Sequence, residues 1–271
     1  MDSDIEFQNK NWVRDTIEQL QTYKIVQLFS HAIDMGIKYE TLQVNIGFAY
    51  KYVNGENFND PRSHPKKFNT EFKYPQFGKK NGSTNSQVFN RFYDACDEEP
   101  EPEEEILTRR AVNGNQWHSG YAWAMRRKTY DDLGGLLDFA ILGSSDHHMA
   151  FAFIGKISSS TPKDVSENYK KLLSIYADRC EKYVKRDIGF VHGTILHHFH
   201  GNKVNRQYNS RWKIIKDFDP ITDIKKDSSN LWKLDEYKIK LRDQIRMYFR
   251  LRNEDENTMK QEYEYVKKEW I

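Results

Sequence analysis

The sequence predicts an α/β protein, and three observations support that fold class. A helical pattern near the amino terminus is followed by an apolar, strand-like run, and further apolar strands alternate with helical segments up to about residue 200. Such alternation is typical of an α/β sheet. The 271 residues suit one large domain, or one domain with an appendage. The 38% hydrophobic content, with 16 Tyr, 16 Phe and 6 Trp, is enough to fill a core.

The composition excludes several classes of protein. The 42 basic and 40 acidic residues nearly cancel, so no overall charge attracts the chain to nucleic acid or to a membrane surface. No apolar run approaches the roughly 18 residues of a membrane span, and the acidic start does not resemble a signal peptide. Cys96 and Cys180 lie far apart, which favours a reducing compartment. We therefore expect a cytoplasmic protein.

Residues 1–53 contain the first helix and strand. "NWVRDTIEQLQTY" predicts a short amphipathic helix with Asn11 as its N-cap. Its expected apolar face consists of Trp12, Val13, Ile17 and Leu20. "KIVQLFSHA" then predicts one buried strand.

Residues 54–113 predict a long loop or insertion. The segment is rich in Asn, Gly, Pro and Lys without a sustained period, and "SQVFNRFYDAC" within it predicts one short helix. A loop of this length is either a functional lid or disordered. We interpret the acidic run at 97–105 as a solvated spacer.

The following elements are predicted from capping residues and apolar runs. "GYAWAMR" predicts a strand, and "RKTYDDLGG" predicts a helix that Gly134 and Gly135 can end. "GSSDHHMAFAFIG" predicts a loop and a buried helix. A long helix is expected from its cap at Ser166 to Gly189, followed by the strand "FVHGTILHHFHG". Residues 231–271 predict a charged, helical tail.

Two groups of residues are candidate metal ligands. If Asp2 and Asp4 lie on a strand, they point to the same side and offer hard oxygen ligands to Mg²⁺ or Mn²⁺. Alone, the pair is more often a capping feature or chance, and it indicates a metal site only together with further ligands. In strand register His198 and His200 share one face and His197 opposes them. An imidazole pair suits Mn²⁺, and Zn²⁺ better.

The segment "GSSDHHM" is a candidate for acid–base chemistry. Asp146 follows a Gly-Ser-Ser turn and precedes an apolar helix, so it is either an ordinary N-cap or a general base. His147 and His148 either extend that site or pack in the core.

Three cations follow the histidine-rich strand. Lys203, Arg206 and Arg211 lie within "HGNKVNRQYNSRW". Surface cations usually have no specific role, but beyond a metal site they could bind phosphate.

The order of "DSDIEF", "GYAWAMRRKTYDDLGGLLDFAILGSSD" and "HHFHG" resembles the metal-dependent glycosyltransferases of GT-A fold, in particular galactosyltransferase-like enzymes. Their viral, phage and bacterial relatives show "W-x-D-x-D-I-x-F" and "H-G-x-K-x-x-R-x-Y-x-x-R-W". The likeness covers about residues 1–220. It implies a Rossmann-like nucleotide-diphospho-sugar transferase domain over 1–230, with 231–271 as a helical tail.

The resemblance implies a metal and donor site. Asp4 binds Mn²⁺ (or Mg²⁺) together with His200 or His198, and Asp2 approaches the ribose or the metal. The donor is expected to be a UDP-linked sugar. Its phosphates are expected to contact Lys203, Arg206 and Arg211.

The resemblance also implies an acceptor site. Asp146 matches the acidic residue that removes the acceptor hydroxyl proton in inverting enzymes. Relatives often show a Glu-Asp-Asp run where this chain has Ser145, Asp146 and His147. Further acceptor contacts are expected from Trp117, Tyr121, Gly135, Ser145 and His147, although the aromatic residues could also be core. For Trp123, we expect core packing.

In this fold a nucleotide-binding half, on the order of a hundred residues, precedes the Asp-x-Asp strand. The resemblance therefore implies a chain truncated at that motif, completed by a separate chain or encoded as a relic. If the relatives are viral, the host cytoplasm is the expected location. Neither the donor sugar nor the acceptor, whether glycan, protein or lipid head group, can be identified from the residues.

Two alternatives remain open. "SDHH" also resembles the Asp-His-His phosphoesterases, in which Asp146 and His147 would share a metal with His198. The chain could instead be a catalytically incomplete fragment that acts as a binding subunit.

Overall fold

The computed structural model describes residues 1–36, 39, 41–55, 117–201, 203–207 and 211–252. Nearly all of the predicted 54–113 loop, with its short helix, lies outside these residues, as does the end of the predicted tail. The described part is a mixed α/β structure with mixed sheets, which agrees with the predicted α/β class, while the GT-A-like fold stays a prediction. It divides into two units. The first comprises Met1–Gly134 and Tyr183–Phe199, and the second comprises Gly135–Lys182 and His200–Ile271.

The first unit contains eight strands among its described residues, numbered along the chain. Five form one sheet in the order β1-β8-β3-β4-β5. They are β1 (Ile5–Phe7), β3 (His31–Met35), β4 (Thr41–Gly47), β5 (Trp117–His118) and β8 (Thr194–His197). The β1–β8 and β3–β4 pairs are antiparallel, whereas the β8–β3 and β4–β5 pairs are parallel. Strands that are distant in sequence therefore become neighbours.

A second, three-stranded sheet of this unit has the order β6-β2-β7. Its strands are β2 (Ile25–Gln27), β6 (Trp123–Met125) and β7 (Ile188–Phe190). The predicted strand "KIVQLFSHA" is thus two strands, because the chain leaves one sheet after Gln27 and enters the other at His31. The buried Gln27 side chain stabilises this change of sheet by donating to the His118 carbonyl and accepting from the Ala49 amide.

The helices of the first unit are α1 (Trp12–Thr22), α2 (Phe48–Val53) and α3 (Arg127–Leu133). Asn11 is the N-cap of α1, as predicted, but its side chain makes no capping bond. The amphipathic prediction for α1 is half wrong, because Val13 and Ile17 are 51% and 56% exposed. The prediction that Gly134 ends α3 is confirmed, since its left-handed φ of 78° suits glycine.

The second unit contains helices α4 (Ser145–Phe153), α5 (Glu167–Tyr183, whose last residue belongs to the first unit), α6 (Arg211–Ile214) and α7 (Ile239–Leu251). It also contains the antiparallel hairpin of β9 (Ile224–Lys226) and β10 (Trp232–Leu234). Part of the predicted helical tail is therefore a strand. No helix in the described ranges is long and apolar enough to cross a membrane.

The two ends of α5 differ in how well the sequence predicted them. The Ser166 hydroxyl accepts the Tyr169 amide at 3.2 Å, which confirms the predicted cap. Gly189, however, lies in β7 and does not end the helix. A Cβ at Gly189 would lie 2.3 Å from the Tyr23 ring, so glycine is needed there for close packing. Lys185 and Arg186, with φ of 58° and 63°, make the turn instead.

Candidate metal centre

The pairing of β1 with β8 brings Asp4 to His197. Ile5 lies opposite His197 in the antiparallel register, and the His198 amide donates to the Asp4 carbonyl at 2.8 Å. Asp4 Oδ2 consequently lies 3.5 Å from Nε2 of His197. The prediction that Asp2 and Asp4 lie on a strand is wrong, since both precede β1 and Asp4 belongs to a turn.

His197 contacts a second carboxylate on its other side. The parallel register of β3 with β8 places Asp34 opposite His197, and Nδ1 of His197 lies 2.8 Å from Asp34 Oδ1. Asp34 is only 3% exposed. Its Oδ1 also accepts the Tyr121 hydroxyl at 2.6 Å, and its Oδ2 accepts the Asn45 amide at 3.0 Å. These contacts supply the hydrogen bonds that a buried carboxylate requires.

His200 completes a group of three possible metal ligands. His200 lies three residues after His197 in the sequence. It is the first residue after the end of the first unit. Asp4, His197 and His200 each offer one ligand atom, and these atoms lie within 4.8 Å of one another. One carboxylate oxygen and two imidazole nitrogens suit Mn²⁺ and also Zn²⁺. This is the one such group of three or more among the described residues.

The ligand set differs from the predicted one at His198 and Asp2. Since β8 ends at His197, the alternation expected from 197 to 200 does not continue, and His197 joins Asp4 where His198 was predicted. Nε2 of His198 lies 3.4 Å from Glu6 Oε2. Asp2 is exposed, and its backbone amide donates to the Tyr121 carbonyl at 2.8 Å.

The aromatic residues predicted to contact a sugar are largely packed. Tyr121 is 5% exposed, and its ring stacks on that of His118 with the ring centroids 3.7 Å apart and an interplanar angle of 7°. One face of its ring and its hydroxyl are therefore already occupied, which favours the core interpretation of Tyr121 over sugar stacking. Trp117 is half-buried with its ring edge against Phe48. The half-buried Trp123 donates its indole N–H to the Ser119 carbonyl, in line with the expected packing role.

Asp146 lies in the first turn of α4, in the second unit. Ser144 is the N-cap, with a left-handed φ of 74°, and α4 begins at Ser145. The interpretation of Asp146 as the N-cap is therefore wrong. Its half-buried carboxylate belongs to the amino-terminal turn, where the helix dipole favours negative charge. That position leaves the general-base hypothesis open.

The two histidines after Asp146 have packing contacts. His147 packs against Phe151 with ring centroids 4.9 Å apart, and burial lowers its pKa. His148 is fully buried, with Nδ1 3.1 Å from the Ser160 hydroxyl and Nε2 3.2 Å from the Tyr169 hydroxyl. Burial lowers the pKa of His148 to about 3, so it remains neutral. These contacts favour the interpretation that His148 packs in the core over the interpretation that it extends the Asp146 site.

The predicted phosphate-binding residues have different environments. Arg211 donates to the Leu142 carbonyl at 3.0 Å and to the Ser144 hydroxyl, so its guanidinium stabilises the turn before α4. Phosphate binding by Arg211 stays a prediction. Nη2 of Arg206 is buried and has no hydrogen-bond partner among the described residues. Lys203 begins the 3₁₀ turn Lys203–Arg206, and Gly135 follows α3 with a φ of 96°.

Asp34 is the functional candidate that the sequence reading missed. It lies inside the apolar run that predicted a strand, within "SHAIDM". Aspartate is rarely buried unless it is paired. A lone acidic residue within a buried strand was therefore an available signal that this position had a polar partner.

Comparisons with known proteins returned no match: no family model, no curated protein and no solved structure matches this chain.

Proposed function

We propose that this chain is a metal-dependent glycosyltransferase of GT-A fold that transfers a sugar from a nucleotide diphosphate to an acceptor hydroxyl, with inversion. The observation that carries the proposal is the proximity of Asp4 to His197 and His200. The resemblance implies that the Asp-x-Asp motif shares its metal with a late histidine. Asp4 and these histidines are separated by more than 190 residues in the sequence. Their proximity in the structure therefore supports the metal site that the resemblance implies.

The residues present fit a divalent cation such as Mn²⁺. Asp4 would contribute an oxygen ligand, and His197 and His200 would contribute nitrogen ligands. A bound cation neutralises the charge that grows on the leaving diphosphate as the glycosidic bond breaks. The protein's part is to hold these three side chains at the end of β8, close enough to share one ion.

On the acceptor side, we assign Asp146 as the base that takes the proton from the attacking hydroxyl. Its position is defined by the local structure of the second unit. Arg211 binds the turn at Leu142 and Ser144, and α4 begins directly after that turn. Arg211 therefore orients the helix turn that carries Asp146, in addition to any charge it contributes to the site.

The Asp-His-His phosphoesterase alternative is not favoured by the geometry. It places metal ligands in the run Asp146, His147 and His148, but within the described residues these three side chains do not form a group of possible metal ligands. His147 packs against Phe151. Both ring nitrogens of His148 are within hydrogen-bonding distance of hydroxyl groups, of Ser160 and of Tyr169. These contacts favour a packing role for His148.

The metal assignment is tested by calorimetric titration of the full chain with Mn²⁺, then with UDP in the presence and absence of Mn²⁺. We expect Asp4→Asn to weaken Mn²⁺ binding by more than about tenfold, since even loss of an outer-shell partner typically costs 10- to 100-fold. Asp2→Asn is the matched control, because Asp2 lies two residues away and outside the ligand group. Equal, negligible effects of the two variants would refute the metal assignment.

The transferase assignment is tested by release of UDP from a panel of UDP-sugars with glycan acceptors. We expect Asp146→Asn to abolish transfer while leaving Mn²⁺-dependent UDP binding intact. Loss of UDP binding in this variant would place Asp146 in the donor site. Metal-dependent UDP binding by the wild type without transfer to any acceptor would favour the binding-subunit alternative.

A further inference from the structure

The contact between Asp34 and His197 determines which nitrogen of the imidazole is available to a metal. A neutral histidine carries its proton on one ring nitrogen only, and the hydrogen bond made by that nitrogen selects the tautomer. The Asp34 carboxylate can only accept, and it lies 2.8 Å from Nδ1 of His197. The proton of His197 is therefore required on Nδ1. Nε2, the nitrogen 3.5 Å from Asp4, is then the one with a lone pair for a cation.

We propose that Asp34 is the positioning residue of the metal centre: its buried carboxylate accepts the Nδ1–H of His197, fixes the orientation of the ring and presents Nε2 to the metal. This inference rests on the metal site of the proposed function and adds to it a residue that does not itself touch the ion. Metal-binding histidines generally donate their other N–H to such a partner, which also increases the basicity of the ligand nitrogen.

Asp34 is itself held in place from two directions. The Tyr121 hydroxyl donates to Oδ1, the same oxygen that contacts His197. The Asn45 amide donates to Oδ2, while the Asn45 carbonyl oxygen accepts from the Gln43 side chain at 2.8 Å. Gln43 and Asn45 are two residues apart on β4, so they share one face of that strand.

Burial strengthens the case for a positioning role. The Asp34 side chain is 4% exposed and that of His197 is 12% exposed, whereas that of Asp4 is 30% exposed. The accessibility therefore increases from Asp34 to His197 to Asp4. The more exposed carboxylate, Asp4, lies at Nε2 of His197, and the more buried one, Asp34, lies at Nδ1 on the other side of the ring. Asp34 is thus placed to orient the ligand without becoming a ligand.

The test measures Mn²⁺ affinity of the full chain by the electron paramagnetic resonance signal of free Mn²⁺. We expect Asp34→Asn, which keeps the shape but removes the charge, to weaken Mn²⁺ binding by about 10- to 100-fold. Tyr121→Phe is the matched control, since it removes another hydrogen bond from the same Asp34 oxygen and leaves the contact to His197. We expect Tyr121→Phe to cause a clearly smaller loss of affinity.

A second measurement is independent of any variant. In the wild-type chain loaded with Zn²⁺ and labelled with ¹⁵N, nuclear magnetic resonance distinguishes the protonated from the metal-bound ring nitrogen. We expect His197 to bind through Nε2 and to carry its proton on Nδ1. Metal bound through Nδ1 would overturn the inference, and so would a folded Asp34→Asn variant with wild-type Mn²⁺ affinity.

The outcomes separate this inference from the proposed function. A wild-type chain that binds neither Mn²⁺ nor Zn²⁺ overturns the metal centre and, with it, the role of Asp34. Metal binding that depends on Asp34, in a protein that transfers no sugar, overturns the glycosyltransferase assignment and supports the positioning role. If Asp34→Asn lowers thermal stability but not the Mn²⁺ affinity of the folded protein, Asp34 is only structural and the inference fails.

Discussion

His197 and His148 are both held by two polar neighbours, but the chemistry of those neighbours differs. His197 lies between two carboxylates, the buried Asp34 and the partly exposed Asp4. His148 lies between two hydroxyl groups, of Ser160 and Tyr169, and has no exposed surface. Two carboxylates attract a cation to the histidine, whereas two hydroxyl groups stabilise a neutral, buried ring. The same residue type therefore belongs to a candidate metal centre at position 197 and to a packed core at position 148.

The largest effect on stability is expected from His148→Ala. The change creates a cavity and removes a hydrogen-bond partner from the buried Tyr169 hydroxyl. We expect the free energy of unfolding to fall by about 3 kcal/mol, as measured by urea denaturation. Mn²⁺ affinity of the folded protein should not change. His147→Ala, at the neighbouring half-buried residue, should reduce the free energy of unfolding by less than His148→Ala does.

The corresponding variant at the candidate metal centre is His197→Ala, and we expect it to change metal affinity more than stability. Here Mn²⁺ affinity should fall by more than about 100-fold, beyond the usual effect of losing an outer-shell partner. The loss of unfolding free energy should be smaller than for His148→Ala, since Asp34 retains its bonds to Tyr121 and Asn45. If both variants affected the same property, the two histidines would not have distinct roles.

The second largest effect is a dependence of stability on pH. Burial lowers the pKa of His148 to about 3, below its ordinary value near 6.5, so the unfolded chain binds a proton that the folded chain does not. This contribution is constant above about pH 6.5, and stability falls as the pH decreases from there toward 3. Between pH 7 and pH 5, wild-type unfolding free energy should fall by about 2 kcal/mol more than that of His148→Gln.

His31 provides an internal check on this prediction. Burial, followed by the charge of His192, lowers the pKa of His31 to about 4, so His31 contributes in the same direction. The His148→Gln variant should therefore retain part of the slope. An identical slope in wild type and variant over pH 5–7 would show that His148 can be protonated in the folded protein.

The smallest effect is expected at the helix that carries Tyr169. Ser166→Ala removes the hydroxyl that accepts the Tyr169 amide at the start of α5. We expect a loss of about 1 kcal/mol in unfolding free energy, by urea denaturation. Ser174→Ala, at an exposed site within the same helix, is the control and should be neutral or slightly stabilising. Equal effects would exclude capping as the role of Ser166.

Features that depend on neighbouring residues could be predicted from the sequence. The cap of α5 at Ser166 and the end of α3 at Gly134 follow from local hydrogen bonding and from the conformational freedom of glycine. The proximity of Asp4 and His200 was expected from the family resemblance rather than from local pattern, and their possible ligand atoms do lie within 4.8 Å of one another. In each case the residue types and their order carry most of the information.

Features that depend on the pairing of distant strands could not be predicted in this way. The role of Asp34 follows from the parallel register of β3 with β8, which no local pattern reveals. The candidate ligand group contains His197 rather than the predicted His198, because β8 ends at His197. Likewise, Asp146 is not the cap of α4 because Ser144 adopts a left-handed conformation at the turn. Residue types predicted a candidate metal centre, while tertiary contacts determine which individual residues lie close enough to form it.

The pairing of β1 with β8 also determines when the metal centre can form during folding. Asp4 precedes β1, but the partner strand β8 ends only at His197, so their register depends on closing a very long loop. Contacts of high sequence separation form slowly because the entropy of loop closure opposes them. A cation that uses this candidate centre would therefore find the complete ligand group only after β8 has joined the sheet. It would then stabilise the protein by mass action on the completed fold.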